Sequence, residues 1–476
     1  MLILLSGLAS LNISTGIFIL LIVCVLAVCF FEFINGFHDT ANAVATVIYT
    51  NSLSPTRAVV ISGIFNFIGV IFGGLGVAMG ILKLLPLTEL MYSSLEINII
   101  FLLSVLLAAI LWNFGTWYIG LPASSSHTLI GSLIGASMVF ANISDEQMTK
   151  AYEVFTFLLI TPVFGFFVAW ILLAILRFIY RDKRLYETPA TKDAPPLGIR
   201  FLTILGCLGI SYTHGSNDGQ KGVGLLMVVL IAFLPAYFAL VPDFSKEDSL
   251  KNLEKIEQSI VLNSNNKEFD DLTLHLQEEL DETKLLLAQL GNQKKINFGE
   301  LPKKLILDIR VQHKSVLPKH IKKIVTHRDA KSILSKEQLK TLSEASKKLT
   351  TFTDFAPNWT ILLISICLGI GTMIGWKRVV VTIGEKIGRS GFDYSQGMIS
   401  QVVSASTIFA STYFKLPVST THIVSSSIMG TMFAKGGKQN IQMKTIKNIL
   451  MAWILTLPVS IGLSAGLFLL LKFIFL

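Results

Sequence analysis

Charge and cysteine are both scarce in this chain of 476 residues. Only 15% of its residues are charged while 52% are hydrophobic, which excludes an ordinary soluble globular domain. Its four cysteines, Cys24, Cys29, Cys207 and Cys367, all sit in apolar segments, without metal-ligand spacing and with none in the polar loops. That pattern excludes a disulfide framework and a zinc cluster, and leaves them as small apolar fillers. The first apolar run has neither a basic start nor a small-residue cleavage site, so it reads as a retained span. A formal charge of +9 would suit a nucleic-acid binder, but the basic residues are spread over loops and one polar insert. No nucleic-acid partner is expected.

What the chain does have is apolar sequence in long runs. Ile17–Phe31, Phe155–Ile175 and Val459–Phe475 reach or approach the ~20 residues that cross a bilayer as a helix. The expected class is an all-α polytopic membrane protein of about 10 spans, embedded in lipid. Residues 1–180 read as a first transmembrane repeat and 181–200 as a basic loop, made irregular by Pro189, Pro195 and Pro196. A second repeat starts over 201–241. The composition then changes: 242–357 is rich in Lys, Glu, Asp and Leu at amphipathic spacing and reads as a polar helical insert. Residues 358–476 complete the second repeat. Stretches 13–50 and 201–241 exceed one span and are interrupted by polar residues, at Gly36–Asn42 and at His214–Gly222. Each predicts a broken helix or two short segments.

An internal repeat underlies this order. Leu121-Pro122-Ala123-Ser124-Ser125-Ser126-His127 matches Leu416-Pro417-Val418-Ser419-Thr420-Thr421-His422, and Asp39 pairs with Asp218. Asp39 precedes its histidine by 88 positions and Asp218 by 204; the difference, 116, is the length of 242–357. The insert therefore interrupts the second copy. Loops 83–98 and 141–150 are acidic on balance, whereas their counterparts carry Lys377, Arg378, Lys386 and Arg389, then Lys435, Lys438, Lys444 and Lys447. Short cytoplasmic loops collect Lys and Arg, so equivalent loops fall on opposite sides of the membrane. That is an inverted-topology repeat, its halves meeting at mid-membrane.

Each motif also has a plain structural explanation. An acid inside a membrane is costly, so Asp39 and Asp218 either handle a cation, proton or metal in a central cavity or hold broken-helix backbone. Their matching places in two halves favour the first. Ser124–Ser126 and Ser419–Thr421 follow a Leu-Pro turn and precede an apolar helix, where one hydroxyl suffices as an N-cap. Three hydroxyls beside free helix N–H groups instead make an uncharged oxyanion cradle, and two cradles could hold one tetrahedral anion. His38, His127, His214 and His422 crowd into the same motifs as candidates for titration during transport, although a lone histidine is usually a packing group. Glu32 either joins the Asp39 site or pairs locally. Gly369–Gly375 suits close helix packing better than a nucleotide loop, since no strand precedes it. Ser126 and His127 are adjacent and would point apart on a helix, so they make no hydrolase dyad. No enzyme and no resident cofactor is expected.

Gly36-Phe37-His38-Asp39-Thr40-Ala41-Asn42-Ala43, His214-Gly215-Ser216-Asn217-Asp218 and the two Leu-Pro-x-Ser-x-x-His turns together resemble the inorganic phosphate transporter (PiT) family. The likeness covers nearly all of the membrane part and is closest to bacterial low-affinity members. It implies a multi-pass protein of the bacterial inner (plasma) membrane that imports inorganic phosphate by alternating access. Protons would drive the symport, and phosphate would also travel as a neutral complex with a divalent metal ion. The resemblance nominates Ser124, Ser125, Ser126, Ser419, Thr420, Thr421, Asn42 and Asn217 for substrate binding, and the residues' own reading adds Thr128 and Lys221. The resemblance nominates Asp39 and Asp218 for cation or proton coupling and as ligands of any metal ion, and the residues' own reading adds His38, His127 and His422 for coupling. The chain departs from sodium-coupled members where His38 replaces the first amide of one copy and Lys221 the last amide of the other. A fixed ammonium is therefore expected in place of one sodium ion. Competing expectations are sodium coupling, a sulfate or other oxyanion permease and, outside transport, a membrane-embedded phosphatase. A homo-oligomer is compatible with all of these.

Overall fold

The structure, a computed structural model, describes residues 14–82, 85–141, 145–186, 188, 194–260, 264, 266–291, 298–413 and 418–476. Leu416 and Pro417 of the second turn lie outside the described residues, as do parts of loops 83–98, 141–150 and 181–200. Among the described residues the chain is helical, with a single isolated bridge between Gly388 and Ile441. Six helices are long and apolar enough to cross a membrane: Thr15–Tyr49, Pro55–Phe72, Leu95–Ile119, Phe155–Ile179, Leu197–Phe233 and Met443–Phe475. A seventh is added if Asn358–Met373 and Lys377–Glu385, bent by 58°, are one span. Among the described residues the tally stays below the expected ten because three further helices fall short: the two hydroxyl-headed helices, Ser125–Phe140 and Thr420–Gly436, have only 16 and 17 residues, and Tyr394–Tyr413, with 20, is not apolar enough.

The chain forms two compact units, one of residues up to 87, 94–226 and 357–476, the other of 88–93 and 227–356. In the first unit the expectation of two broken helices is corrected for one of them. The helix Thr15–Tyr49 runs unbroken for 35 residues through Asp39. Gly36 is a packing residue rather than a hinge, since a Cβ there would lie 2.4 Å from the Leu368 carbonyl oxygen. Without a proline, nothing in Gly36–Asn42 removes a helix hydrogen bond. The second acid does sit in an irregularity, the π-helical turn Gly215–Gly219 between Leu197–His214 and Gln220–Phe233. Such a turn re-aims side chains and keeps backbone groups bonded, as an apolar surrounding requires.

Glycine contacts in this unit come in matched pairs. A Cβ on Gly36 would strike Leu368 O and one on Gly371 would strike Phe33 O, at 2.4 and 2.1 Å. In the matching contact, which likewise joins the two halves of the sequence, a Cβ on Gly215 would strike Asn66 O and one on Gly69 would strike Tyr212 O, at 2.1 and 2.2 Å. Gly369–Gly375 is thus part of a helix-packing face, as small residues in membrane helices commonly are. Gly135 meets Ile461 O and Gly430 meets Phe166 O, so each hydroxyl-headed helix rests on a long helix with an internal proline, Pro458 or Pro162.

The second unit packs the helices Lys246–Ser259, Lys267–Ala288, Lys303–Val311, Leu317–Thr326 and Lys336–Thr351. Leu253, Ile256, Phe269, Leu276, Leu280, Ile306, Ile309, Ile321, Leu342 and Leu349 are its core. Ser335 and Gln338 form a capping box that starts the last of these helices. Its buried Arg310 donates to the carbonyls of Ala239 and Thr353, and His313 bonds Ser249 and the Ile309 carbonyl. These polar groups are satisfied within the unit, as in any solvated helical bundle.

Candidate functional site

The two hydroxyl-headed helices bring their first residues onto the two buried aspartates. Ser124 and Ser419 are the N-caps, accepting from the amides of His127 and His422, so one hydroxyl of each triplet serves the helix itself. The next two point at carboxylates. Asp39 receives Ser125 Oγ at 2.7 Å and Thr421 Oγ1 at 3.1 Å. Asp218 receives Ser126 Oγ at 3.0 Å and, at the limit of hydrogen-bond reach, Thr420 Oγ1 at 3.5 Å. Each aspartate therefore holds one hydroxyl from each half of the chain. Both acids are almost completely buried.

The residue three positions after each acid completes the pattern, because i and i+3 share a helix face. Asn42 Nδ2 donates to Thr421 Oγ1 at 3.0 Å, beside Asp39. The Lys221 ammonium donates to Ser126 Oγ and also to Asp218 Oδ1.

One histidine pairs with Asp39 and a second lies between the two acids. His38 Nδ1 lies 2.9 Å from Asp39 Oδ1 and its Nε2 lies 3.2 Å from Thr116 Oγ1. His214 stands between the two carboxylates, with Nε2 at 3.5 Å from Asp39 Oδ2 and 3.3 Å from Asp218 Oδ2. Its Nδ1 is 2.8 Å from Asn66 Oδ1, while Asn66 Nδ2 donates to Thr372 Oγ1 at 3.0 Å. The Asn66 oxygen accepts from Nδ1 and so orients the ring with Nε2 facing the acids. Ligand atoms of Asp39, His214 and Asp218 all lie within 4.8 Å of one another. Two carboxylate oxygens and one imidazole nitrogen suit a small divalent cation.

Not every nominated residue joins this cluster. Thr128 turns its hydroxyl to the Ser124 carbonyl of its own helix. His127 and His422 stack on each other, ring centroids 4.5 Å apart, and His422 stacks on Trp453 at 4.0 Å. Asn217 is buried, its amide nitrogen without a partner among the described residues. Glu32 is buried and accepts from Asn35 at 3.2 Å, its side chain against Gly222.

Sequence reasoning left out His214 as a ligand and missed Asn66, Thr116 and Thr372 entirely. Asn66 and Thr116 had a signal, being isolated polar residues in apolar runs. The reading of the sequence as lacking a Gly-x-Ser-x-Gly spacing is corrected by Gly462-Leu463-Ser464-Ala465-Gly466. It lies inside the helix Met443–Phe475, and Ser464 donates to the Ser132 carbonyl at 2.6 Å, so it is a helix contact rather than a nucleophile elbow.

Residues 35–464 match the model of the phosphate transporter family. The chain is 41% identical over 473 residues to the low-affinity inorganic phosphate transporter of Buchnera aphidicola subsp. Acyrthosiphon pisum (strain APS), covering 93% of this chain and 94% of that protein. It is 38% identical over 500 residues to the low-affinity inorganic phosphate transporter PitA of Escherichia coli (strain K12), covering 97% and 98%. Among solved structures, one described as the sodium-dependent phosphate transporter shares the fold, with a TM-score of 0.56 at 18% identity over 96% of this chain and 99% of that one.

Proposed function

The chain belongs to the phosphate transporter family, and from that premise we propose that it is a secondary active symporter importing inorganic phosphate across the bacterial inner membrane. It is a multi-pass membrane transporter and not an enzyme. One observation carries the mechanism: four hydroxyls from two turns are all aimed at two carboxylates.

A hydroxyl has one proton to donate. While Asp39 and Asp218 are ionised, the protons of Ser125, Ser126, Thr420 and Thr421 serve the carboxylates, and the negative charge that the Lys221 ammonium leaves uncompensated repels an incoming oxyanion. Neutralising a carboxylate with a proton or cation weakens its claim on those donors, which then turn to phosphate. Cation and anion thus favour each other's binding, which is what symport requires. Asn42 and Asn217 add donors around the same place. The matched glycine contacts support two halves of inverted topology that rock about this site for alternating access.

Protons are the proposed driving ion, with His38 and Asp39 forming the buried pair that faces the first hydroxyls. The metal-phosphate reading has its own support in the unbonded His214 Nε2 between the acids. There the divalent ion would be cargo, held by Asp39, His214 and Asp218 together with phosphate. Counterflow in proteoliposomes with separately imposed pH and sodium gradients tests the coupling. Labelled phosphate should accumulate on an inward proton gradient with choline in place of sodium, and excess sulfate should not compete. Accumulation that needs sodium and ignores pH would reject proton coupling; equal competition by sulfate would reject phosphate selectivity.

A further inference from the structure

We infer that Lys221 is a built-in counter-ion: its ammonium stands beside Asp218 in the place of a driving cation, so that only the Asp39 side takes a driving cation in each cycle. This rests on the reading of the chain as a cation-coupled symporter.

The internal repeat supplies the argument. Lys221 and Asn42 hold equivalent places, three residues after their acids, and each donates to the hydroxyl that the opposite half presents to that acid. Around Asp39 every donor is a neutral group or a histidine: Ser125, Thr421 and His38, with the Asn42 amide behind Thr421. Around Asp218 one donor carries a permanent charge. An ammonium has three protons and no lone pair, so Ser126 must accept from Lys221 and give its own proton to Asp218. A cation approaching Asp218 Oδ1 meets a position already filled by nitrogen.

Burial makes the arrangement lasting. The Lys221 side chain is only 9% exposed, and a buried ammonium without its acid is strongly penalised. Glu32, the other acid near it, packs against Gly222 and accepts from Asn35, whereas the Lys221 ammonium donates to Asp218. Lys221 therefore stays with Asp218. Half of the hydroxyl cradle is neutralised in advance, and a single co-ion suffices for the other half.

Full-length protein and Lys221→Asn, which copies the residue at Asn42, are compared in proteoliposomes and in detergent. The wild type should take up labelled phosphate equally in sodium and in choline chloride. Lys221→Asn should lose roughly tenfold or more in choline, as expected for a buried acid stripped of its partner, and regain uptake in sodium. Sodium, against choline, should also raise the thermal midpoint of Lys221→Asn but not of the wild type. Wild-type rates for the variant in choline would overturn the inference. So would a loss that is equal in both salts with no sodium-specific stabilisation, the result expected if Lys221 binds phosphate directly. A wild type that carries no phosphate at all would instead sink the symporter reading, and the thermal comparison would still decide the role of Lys221.

Discussion

Asp39 and Asp218 occupy equivalent places in two copies of one pattern, yet the copies treat them differently. Asp39 rides on an uninterrupted helix among neutral donors and a histidine, whereas Asp218 sits in a π-helical turn with an ammonium. Four residues before each acid stand Asn35 and His214. Asn35 reaches only Glu32, while His214 spans both carboxylates and is fixed by Asn66. The hydroxyl geometry is shared by the halves and the charges are not. Duplication accounts for the frame that presents donors to two acids, and divergence inside it decides which ion each acid meets.

The largest expected effect separates the acids by what each leaves behind. Asp39→Asn and Asp218→Asn should each cut phosphate uptake by about a hundredfold or more, since an intramembrane charge at the site is removed. Only Asp218→Asn also strands a buried ammonium, at a cost of about 3–5 kcal/mol. Adding Lys221→Met to Asp218→Asn should therefore restore the yield of monodisperse protein, while adding it to Asp39→Asn should not. Equal yields for the single and the double Asp218 variants would show that the pair is not what holds this region.

The next effect tests the relay that one half has and the other lacks. Asn66→Ala frees His214 to rotate away from the acids, and loss of such an orienting partner typically costs between about tenfold and a hundredfold. Asn35→Ala removes the equivalent position's bond to Glu32 only, and uptake should change by less than about threefold. Side-by-side uptake rates at matched protein levels decide it. A larger loss from Asn35→Ala would reverse the assignment of the relay.

Most of this frame was legible in the sequence, because charge and hydroxyls are conspicuous against apolar runs and a repeat shows itself by spacing alone. Asp39, Asp218 and the triplets Ser124–Ser126 and Ser419–Thr421 were found that way. Helix continuity was not legible: Gly36 looks like a break until the Leu368 carbonyl is seen where its side chain would be. The partners of His214 were hidden for another reason. Asn66 is 148 positions from it and Thr372, which holds Asn66 in turn, is 158, and the three come together only through packing of helices from both halves. Which hydroxyl caps the helix and which serves an acid likewise depends on where helix geometry aims each side chain. Three adjacent hydroxyls in a string do not disclose that division.

The smallest effects concern the hydroxyls, and there the comparison can be made quantitative. Ser125 and Thr421 both hold Asp39 at ordinary hydrogen-bond lengths, 2.7 and 3.1 Å, whereas Thr420 reaches Asp218 only at 3.5 Å. A bond to a charged acceptor is strong when short and fades as the distance approaches that limit. Ser125→Ala and Thr421→Val should each raise the KM for phosphate by about tenfold, and by similar amounts, because they serve one carboxylate. Thr420→Val should raise it by less than about threefold, since Asp218 keeps Ser126 and its ammonium. Should Thr420→Val prove the most damaging of the three, the Asp218 side would depend on its hydroxyls as fully as the Asp39 side does. The two copies would then be functionally equivalent in spite of Lys221.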